Sequence, residues 1–269
     1  MPNIINSLYN MRLLDDLARK ETTIHKLHPI VKLLTTLVYL SVVVSFGKYE
    51  IGSILPFIFY PMITIVLAEL PVAPIVKRIL LVEPLIIGIG ILNPFFDQHT
   101  IVLFGVVISR GWVTFLSIFI KCGLTVTASI LLIATTGMEQ LGVALRMLKI
   151  PKIFVLQLLL TYRYITVLIE EVSAMMRAYS LRAPGQKGIH RSVWGSFAGQ
   201  LILRTFDRAQ RVYQSMSLRG FTGEYNTGNV PKVKLRDFTY LVGWSVFFII
   251  ARIFNIPMLI GLLVTGVIK

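Results

Sequence analysis

The chain has 269 residues, of which 55% are hydrophobic and only 15% are charged, and its mean hydropathy is +0.74. A soluble domain usually carries about 25% charged residues. This composition therefore excludes a cytosolic enzyme, a disordered chain and a disulfide-stapled secreted domain. The single cysteine, Cys122, cannot form an internal disulfide. We predict an integral membrane protein.

Apolar segments of near-spanning length fill the first half of the chain and its end. A spanning helix needs roughly 20 apolar residues. In chain order the candidates are Ile30–Phe46, Ile51–Leu70, Ile79–Phe96 after a short link over Pro71–Arg78, a short piece over Ile101–Ser109, then Gly111–Thr136 and Phe238–Ile268. They predict about five transmembrane helices, or six if the last segment crosses twice.

The net charge of +14 is concentrated in one part of the chain. Residues 137–236 hold 15 Lys or Arg and only 5 Asp or Glu, a net of +10. Such a block is compatible with binding to nucleic acid, to anionic lipid or to an acidic protein partner. Membrane topology alone also explains the basic block, because cytoplasmic segments retain Lys and Arg.

The same rule sets the predicted orientation. Arg19, Lys20 and Lys26 place the N-terminus in the cytoplasm, and Lys77 and Arg78 return the chain there. The basic block after Thr136 is cytoplasmic as well, which requires Ile79–Phe96 and the short piece after it to count as one broken span. We therefore expect a multi-pass protein of the cell membrane.

Three amphipathic helices are predicted within the basic block, over Met138–Leu148, Lys152–Arg182 and Val193–Gly220. Apolar side chains recur at helical spacing in both long helices, along Leu158, Ile165, Leu168, Val172, Met175 and Tyr179, and along Ile202, Phe206, Ala209, Tyr213 and Met216. The fold class is thus an all-α membrane protein with a cytoplasmic domain of long helices. We divide it into residues 1–136, 137–236 and 237–269.

The two long helices are predicted to end in the same way. The tripeptide Ser-Leu-Arg occurs twice, 37 residues apart, within Ser180-Leu181-Arg182-Ala183 and Ser217-Leu218-Arg219-Gly220. One such end is ordinary capping, because Arg complements the helix dipole and a small residue ends the helix. Two matching ends favour docking, because Arg presents a rigid fork of donors suited to carboxylates. They suggest two matching acidic receptors, as a symmetric dimer offers.

These features resemble the transmembrane T component of energy-coupling factor (ECF) transporters, the EcfT/CbiQ family. Its pair of Arg-centred motifs maps onto the two tetrapeptides, although Leu precedes each Arg where Ala is common and Ala183 stands where Gly is commoner. Segments 14–18, 24–33 and 204–213 also match. The N-terminal pattern is similar to the cobalt/nickel branch.

The resemblance implies a scaffold role. Such T components hold two ABC-type ATPases through Arg182 and Arg219 and pass their closure to a separate substrate-binding membrane subunit, the S component. ATP and Mg²⁺ would be bound by the ATPases. The substrate would be cobalt or nickel, with a vitamin as the alternative.

No chemistry of its own is predicted for this chain. It has no G-x-x-x-x-G-K-[ST] phosphate loop, no catalytic constellation and no cofactor. His25 and His28 are three residues apart and carry imidazoles that suit nickel or cobalt. Without a third ligand nearby, we expect them to pack at a helix start and predict no metal site.

Two other classes of function compete with the scaffold. A self-contained ion-coupled carrier would use the intramembrane charges Glu83, Lys121 and Arg252. A lipid- or nucleic-acid-binding anchor would use the basic block, with affinity that falls steeply with salt. Basic residues interleaved with apolar stripes suit partner helices better, so we expect no nucleic acid.

Overall fold

The computed structural model describes residues 17–92, 100–103, 106–184, 188–223 and 233–254. Within them the chain divides into two compact units. We call Leu17–Gly137 with Pro231–Lys269 the core unit, because it contains the hydrophobic core. Met138–Val230 is the tip unit, because it contains both Ser-Leu-Arg sequences.

Eight helices and one β-hairpin make up the described residues. The core unit contains α1 (Pro29–Ser45), α2 (Ile51–Leu67, with a 3-10 turn over Leu55–Ile58), α3 (Val72–Gly90), strands β1 (Thr100–Leu103) and β2 (Val106–Ser109), α4 (Arg110–Thr136) and α8 (Leu235–Ile253). The tip unit contains α5 (Met138–Met147), α6 (Lys152–Arg182) and α7 (Trp194–Leu218).

In the core unit, helix α1 packs against α4 and α8. Pro29 occupies its first turn, and the His28 side chain caps it by accepting from the amide of Ile30 at 3.3 Å. Tyr39 is fully buried, with its ring 5.3 Å from Phe248 of α8, centroid to centroid. Aromatic packing of this kind adds to simple burial, so α1 is fixed to α8 along its length.

The core unit exposes much apolar surface elsewhere. Leu81 of α3 is 80% exposed, and Val44, Val66 and Leu85 are exposed as well. A soluble monomer seldom leaves such surface uncovered. Helices α4 and α6 are long and apolar enough to cross a membrane, whereas α1 and α2 are apolar but shorter. The number of membrane crossings thus stays a prediction.

Two predictions for the core unit are wrong. The short piece over Ile101–Ser109 is not helical, because β1 and β2 pair there as an antiparallel hairpin, with Thr100 opposite Ser109. The proposed link over Pro71–Arg78 does not exist either. Helix α3 begins at Val72 directly after Pro71, so Lys77 and Arg78 are helical, and it continues through Pro84.

The remaining helices follow the predicted boundaries closely. Helix α6 spans Lys152–Arg182 as predicted, between Pro151 and the Ala183-Pro184 pair, neither of which continues a helix. Its 31 residues extend about 46 Å at 1.5 Å per residue. Helix α7 ends two residues earlier than predicted. The end of the last apolar segment, residues 255–269, lies outside the described residues, as does segment 14–16.

Candidate functional site

The two Ser-Leu-Arg sequences lie at the free ends of the long tip-unit helices. Arg182 is the last residue of α6, and Arg219 directly follows Leu218, the last residue of α7. The leucines beside them are among the most exposed apolar side chains, with Leu181 82% and Leu218 89% accessible. Each tip therefore presents a leucine and an arginine together. We call residues 180–183 the first tip and residues 217–220 the second tip.

Neither tip arginine has a polar partner among the residues that the structure describes. Across the described ranges, the guanidinium groups of Arg182 and Arg219 have no hydrogen bond or ion pair, and both side chains are exposed. Arg204 of α7 differs, because it pairs with Glu171 of α6. A guanidinium group carries five donors in a planar fork, so each tip has its full capacity to bind a carboxylate.

The second tip ends in a complete Schellman motif. Gly220 has a φ of +79°, the left-handed conformation that follows a helix C-cap. The Phe221 amide donates to the carbonyl of Met216 at 3.0 Å, and the Gly220 amide donates to that of Ser217 at 3.0 Å. These bonds satisfy helix carbonyls that would otherwise lack partners. Arg219 is held at the C-cap position by the tight turn that follows it.

The first tip ends differently. Ala183 has a φ of −124°, and its amide donates to the carbonyl of Tyr179 at 3.0 Å, which continues the α-helical pattern by one bond. The chain then leaves through Pro184. Arg182 is thus a helical residue, whereas its counterpart Arg219 lies just beyond its helix. The tripeptides match in sequence, but their registers at the helix ends differ by one residue.

A groove of about 800 Å³ runs between α6 and α7 of the tip unit, lined mostly by apolar side chains. The predicted stripe of α7 only partly faces it. Ala209, Tyr213 and Met216 line the groove, but the side chains of Ile202 and Phe206 are exposed. Helix α7 has no buried residue among those described. It therefore offers an apolar face that the tip unit itself does not cover.

Two of the three charges that suggested a carrier have structural contacts at the end of α1. Lys121 of α4 donates to the carbonyl oxygens of Phe46 at 2.6 Å and Gly47 at 3.1 Å. Arg252 of α8 donates to the Ser45 carbonyl at 3.2 Å, and its guanidinium lies over the Phe46 ring at 4.4 Å. Cations stabilise the negative end of a helix, so Arg252 caps α1, whereas Lys121 holds the two residues that follow it.

The third charge, Glu83 of α3, remains without an assigned role. The residue is buried, and its Oε2 has no hydrogen-bond partner among the residues that the structure describes. Gly123 of α4 lies against the other carboxylate oxygen, since a Cβ there would be 3.4 Å from Oε1.

The two histidines have ordinary structural partners. Nδ1 of His25 lies 2.7 Å from the Thr22 hydroxyl, and Nδ1 of His28 accepts from the Ile30 amide. Burial, reinforced by the positive charge of Lys32, lowers the pKa of His25. No cluster of three potential metal ligands is found in the described part of the chain.

A buried pair of charged residues in the core unit was missed from the sequence. Lys32 of α1 is 5% exposed and Asp237 of α8 is 2% exposed. Lys32 does stand out as the one charge within the first apolar run. Asp237 carries no such signal, because it lies in a short polar stretch before the last apolar segment.

Comparison with known proteins agrees with the resemblance. A family model described as "Cobalt transport protein" (CbiQ) matches residues 20–229, most of the chain. The chain belongs to the CbiQ family. Membership in this family, together with its apolar helices, indicates a membrane component of a transport system. The CbiQ assignment made from the Arg motifs is confirmed.

Individual relatives share only 25–35% identity with this chain. An uncharacterized protein of Methanocaldococcus jannaschii is 25% identical over 220 residues, which cover 74% of this chain and 75% of that protein. Nickel permease LarQ of Lactiplantibacillus plantarum is 26% identical over 117 residues, covering 42% of this chain and 43% of LarQ. A Ycf92-like protein of Nostoc sp. is 35% identical over 131 residues, covering 45% and 42%. The last two matches span less than half of each relative.

Proposed function

We propose that this CbiQ-family chain is the membrane coupling subunit of an ATP-driven importer of cobalt or nickel ions. Two ABC-type ATPase subunits bind it, one at each tip, and a separate membrane subunit, the S component, holds the metal ion. ATP and Mg²⁺ belong to the ATPases. This chain catalyses no step and instead transmits the movement of the ATPases.

The observation that carries the proposal is the pair of arginines at the ends of α6 and α7, which are exposed and have no polar partner among the residues that the structure describes. If Arg182 and Arg219 served only as caps, they would lie against their own helix carbonyls. Both instead are free to enter an acidic groove, where a guanidinium binds a carboxylate with two parallel hydrogen bonds. The exposed leucine beside each arginine adds an apolar contact, which suits a protein partner better than solvent.

The helices behind the tips are suited to transmit movement. Helix α6 extends about 46 Å, and the 25 residues of α7 extend about 38 Å at 1.5 Å per residue. A helix of this length moves as a rod, so displacement of its tip reaches its other end. The uncovered apolar face of α7, with Ile202 and Phe206, is the surface that we assign to the S component.

The metal is inferred from relatives. The matching family is described by cobalt transport, and LarQ is named a nickel permease. A shared component for vitamins remains the alternative substrate class. The self-contained carrier is disfavoured because Lys121 and Arg252 are engaged with the backbone at the end of α1 and just beyond it.

The test is isolation of the tagged full chain from its native host in mild detergent, followed by identification of co-purifying proteins. Two ATPase subunits and a small membrane protein should accompany the wild type. The double variant Arg182→Ala/Arg219→Ala should insert normally and lose the ATPases. Radiolabelled cobalt and nickel uptake should be lost with them.

A matched control removes the same charge from the same two helices. Arg177 and Arg211 are exposed and lie several residues before the tips, so Arg177→Ala/Arg211→Ala should retain both ATPases and uptake. The docking proposal fails if the tip variant keeps its ATPases and transports metal normally. The metal assignment alone fails if the small membrane protein binds a vitamin and neither ion.

A further inference from the structure

The chain leaves the core unit after α4 and returns to it before α8, and both helices contact α1. The chain leaves the core unit at Gly137, directly after α4, and returns shortly before α8, which begins at Leu235. Gly137 has a φ of +72°, and a Cβ there would lie 3.1 Å from the Cβ of Ala18. The exit is therefore a sharp, closely packed turn.

Lys32 fixes the exit to α1. Its Nζ donates to the Thr135 carbonyl at 2.7 Å and to the His25 carbonyl at 3.4 Å. Thr135 belongs to the last turn of α4, whose carbonyls have no partner within the helix. The positive charge of Lys32 also stabilises the negative, C-terminal end of the α4 dipole.

Asp237 fixes the return to the same end of α1. Its Oδ1 accepts from the amide of His28, the N-cap of α1, at 3.2 Å. Its Oδ2 accepts from the amide of Lys234, the N-cap of α8, at 2.8 Å. One carboxylate thus binds the positive ends of two helices. Asp237 and Lys32 are close enough for their opposite charges to interact.

Burying both charges is costly, and apolar residues of similar size would stabilise such a contact at least as well. Stability alone therefore does not explain Lys32 and Asp237, and their location in the fold indicates their role. The two side chains join the start of α1 to the last turn of α4 and the first turn of α8, the two helices that precede and follow residues 138–230. The contacts of Lys121 just beyond the other end of α1 involve no such connection.

We propose that Lys32 and Asp237 are positioning residues that hold the exit and the return of the chain to the start of α1, so that movement of the tip unit is transmitted to the core unit. We call the two side chains the junction anchor. This inference rests on the proposed coupling function. Without the junction anchor, movement of the tip unit would distort the ends of α4 and α8 and would not be transmitted to the rest of the core unit.

The test is the number of metal ions taken up per ATP hydrolysed, measured for the full complex in liposomes. Lys32→Met keeps the length of the side chain without its donors, and Asp237→Asn keeps its shape without its charge. Both variants should assemble and hydrolyse ATP, while uptake per ATP falls about tenfold, as expected from losing one charged hydrogen bond. A merely structural role would lower the amount of complex and leave this ratio unchanged.

Lys121→Met is the matched control, because Lys121 also donates to backbone carbonyls, but to those of Phe46 and Gly47 just beyond the far end of α1. It should leave uptake per ATP unchanged. The inference is overturned if the ratio is unchanged in Lys32→Met and Asp237→Asn, or if Lys121→Met lowers it equally. Lys32→Arg, which keeps a donor, should restore part of the ratio.

A second readout separates this inference from the proposed function. Hydrogen exchange of the full chain in lipid nanodiscs needs no ATPase. Asp237→Asn should speed exchange at the His28 and Lys234 amides, and Lys32→Met should speed it at residues 134–137. If the wild type binds no ATPase, the coupling function fails. If exchange at these sites is unchanged, the anchor fails regardless of the ATPases.

Discussion

The two tips carry the same tripeptide on helix ends of different construction. At the second tip, Gly220 adopts a left-handed conformation and closes a Schellman motif around Arg219. At the first tip, Ala183 stays outside that conformation and Arg182 remains helical. A repeated tripeptide thus repeats the side chains, whereas the residue that follows decides the direction of the backbone. We expect two related but unequal docking sites.

The largest effect should come from removing one arginine at a time. Truncating one partner of a buried charge pair costs roughly 2–5 kcal/mol, because the other charge is left unpaired. Arg182→Ala and Arg219→Ala should each yield a complex with a single ATPase, measured by native mass spectrometry. Loss of both ATPases from either single variant would contradict independent tips.

The exposed leucines should have the next largest effect. Burying a leucine contributes about 1.5–3 kcal/mol, and Leu181 and Leu218 are exposed in the free chain. Leu181→Ser and Leu218→Ser should therefore weaken ATPase binding at their own tip without changing the thermal stability of the chain. Leu203→Ser, on an exposed position of α7 away from the tip, serves as the control. Equal weakening by Leu203→Ser would argue against contact at the tips.

A smaller effect should distinguish the two helix ends. A residue other than glycine in the left-handed conformation costs about 1 kcal/mol. Gly220→Ala should therefore loosen the end of α7, seen as faster hydrogen exchange at the Gly220 and Phe221 amides, and should weaken binding at that tip. The reciprocal change, Ala183→Gly, should leave the first tip bound normally. If Gly220→Ala and Ala183→Gly change ATPase binding equally, the difference in backbone conformation between the tips does not affect docking.

The smallest predicted effect lies in the core unit and should spare both tips. The lowered pKa of His25 means that the unfolded chain takes up a proton first as the pH falls through about 6.5, so the folded state loses stability below that pH. Melting temperatures between about pH 7.5 and 5.5 should fall less in His25→Gln than in the wild type. If the melting temperature falls equally with pH in His25→Gln and in the wild type, this role of His25 is refuted. A change in ATPase binding in His25→Gln would mean that the core unit affects the tips.

Local signals in the sequence were enough to predict the tip-unit helices. Pro151 and the Ala183-Pro184 pair bracket α6, and Gly220 marks the end of α7, because proline and glycine act on the backbone where they occur. The same kind of signal was misread at Pro71. A proline just before a helix is a common start, and α3 begins there.

The hairpin and the junction anchor show two different limits. Short apolar runs do not distinguish strand from helix by periodicity alone, although the β-branched residues at 101–102 and 106–108 favoured strands. The anchor involves contacts across 103 residues for Lys32 and 209 residues for Asp237. No local pattern identifies such partners, since they meet only after α1, α4 and α8 have packed.

The most direct test of the central claim is a cryo-electron microscopy structure of the complex isolated with the wild-type chain. We predict one ATPase subunit at each tip, with the guanidinium groups of Arg182 and Arg219 each within hydrogen-bonding distance of a carboxylate on a different ATPase. A complex without ATPases, or one in which they bind elsewhere and leave both arginines in solvent, would contradict the account.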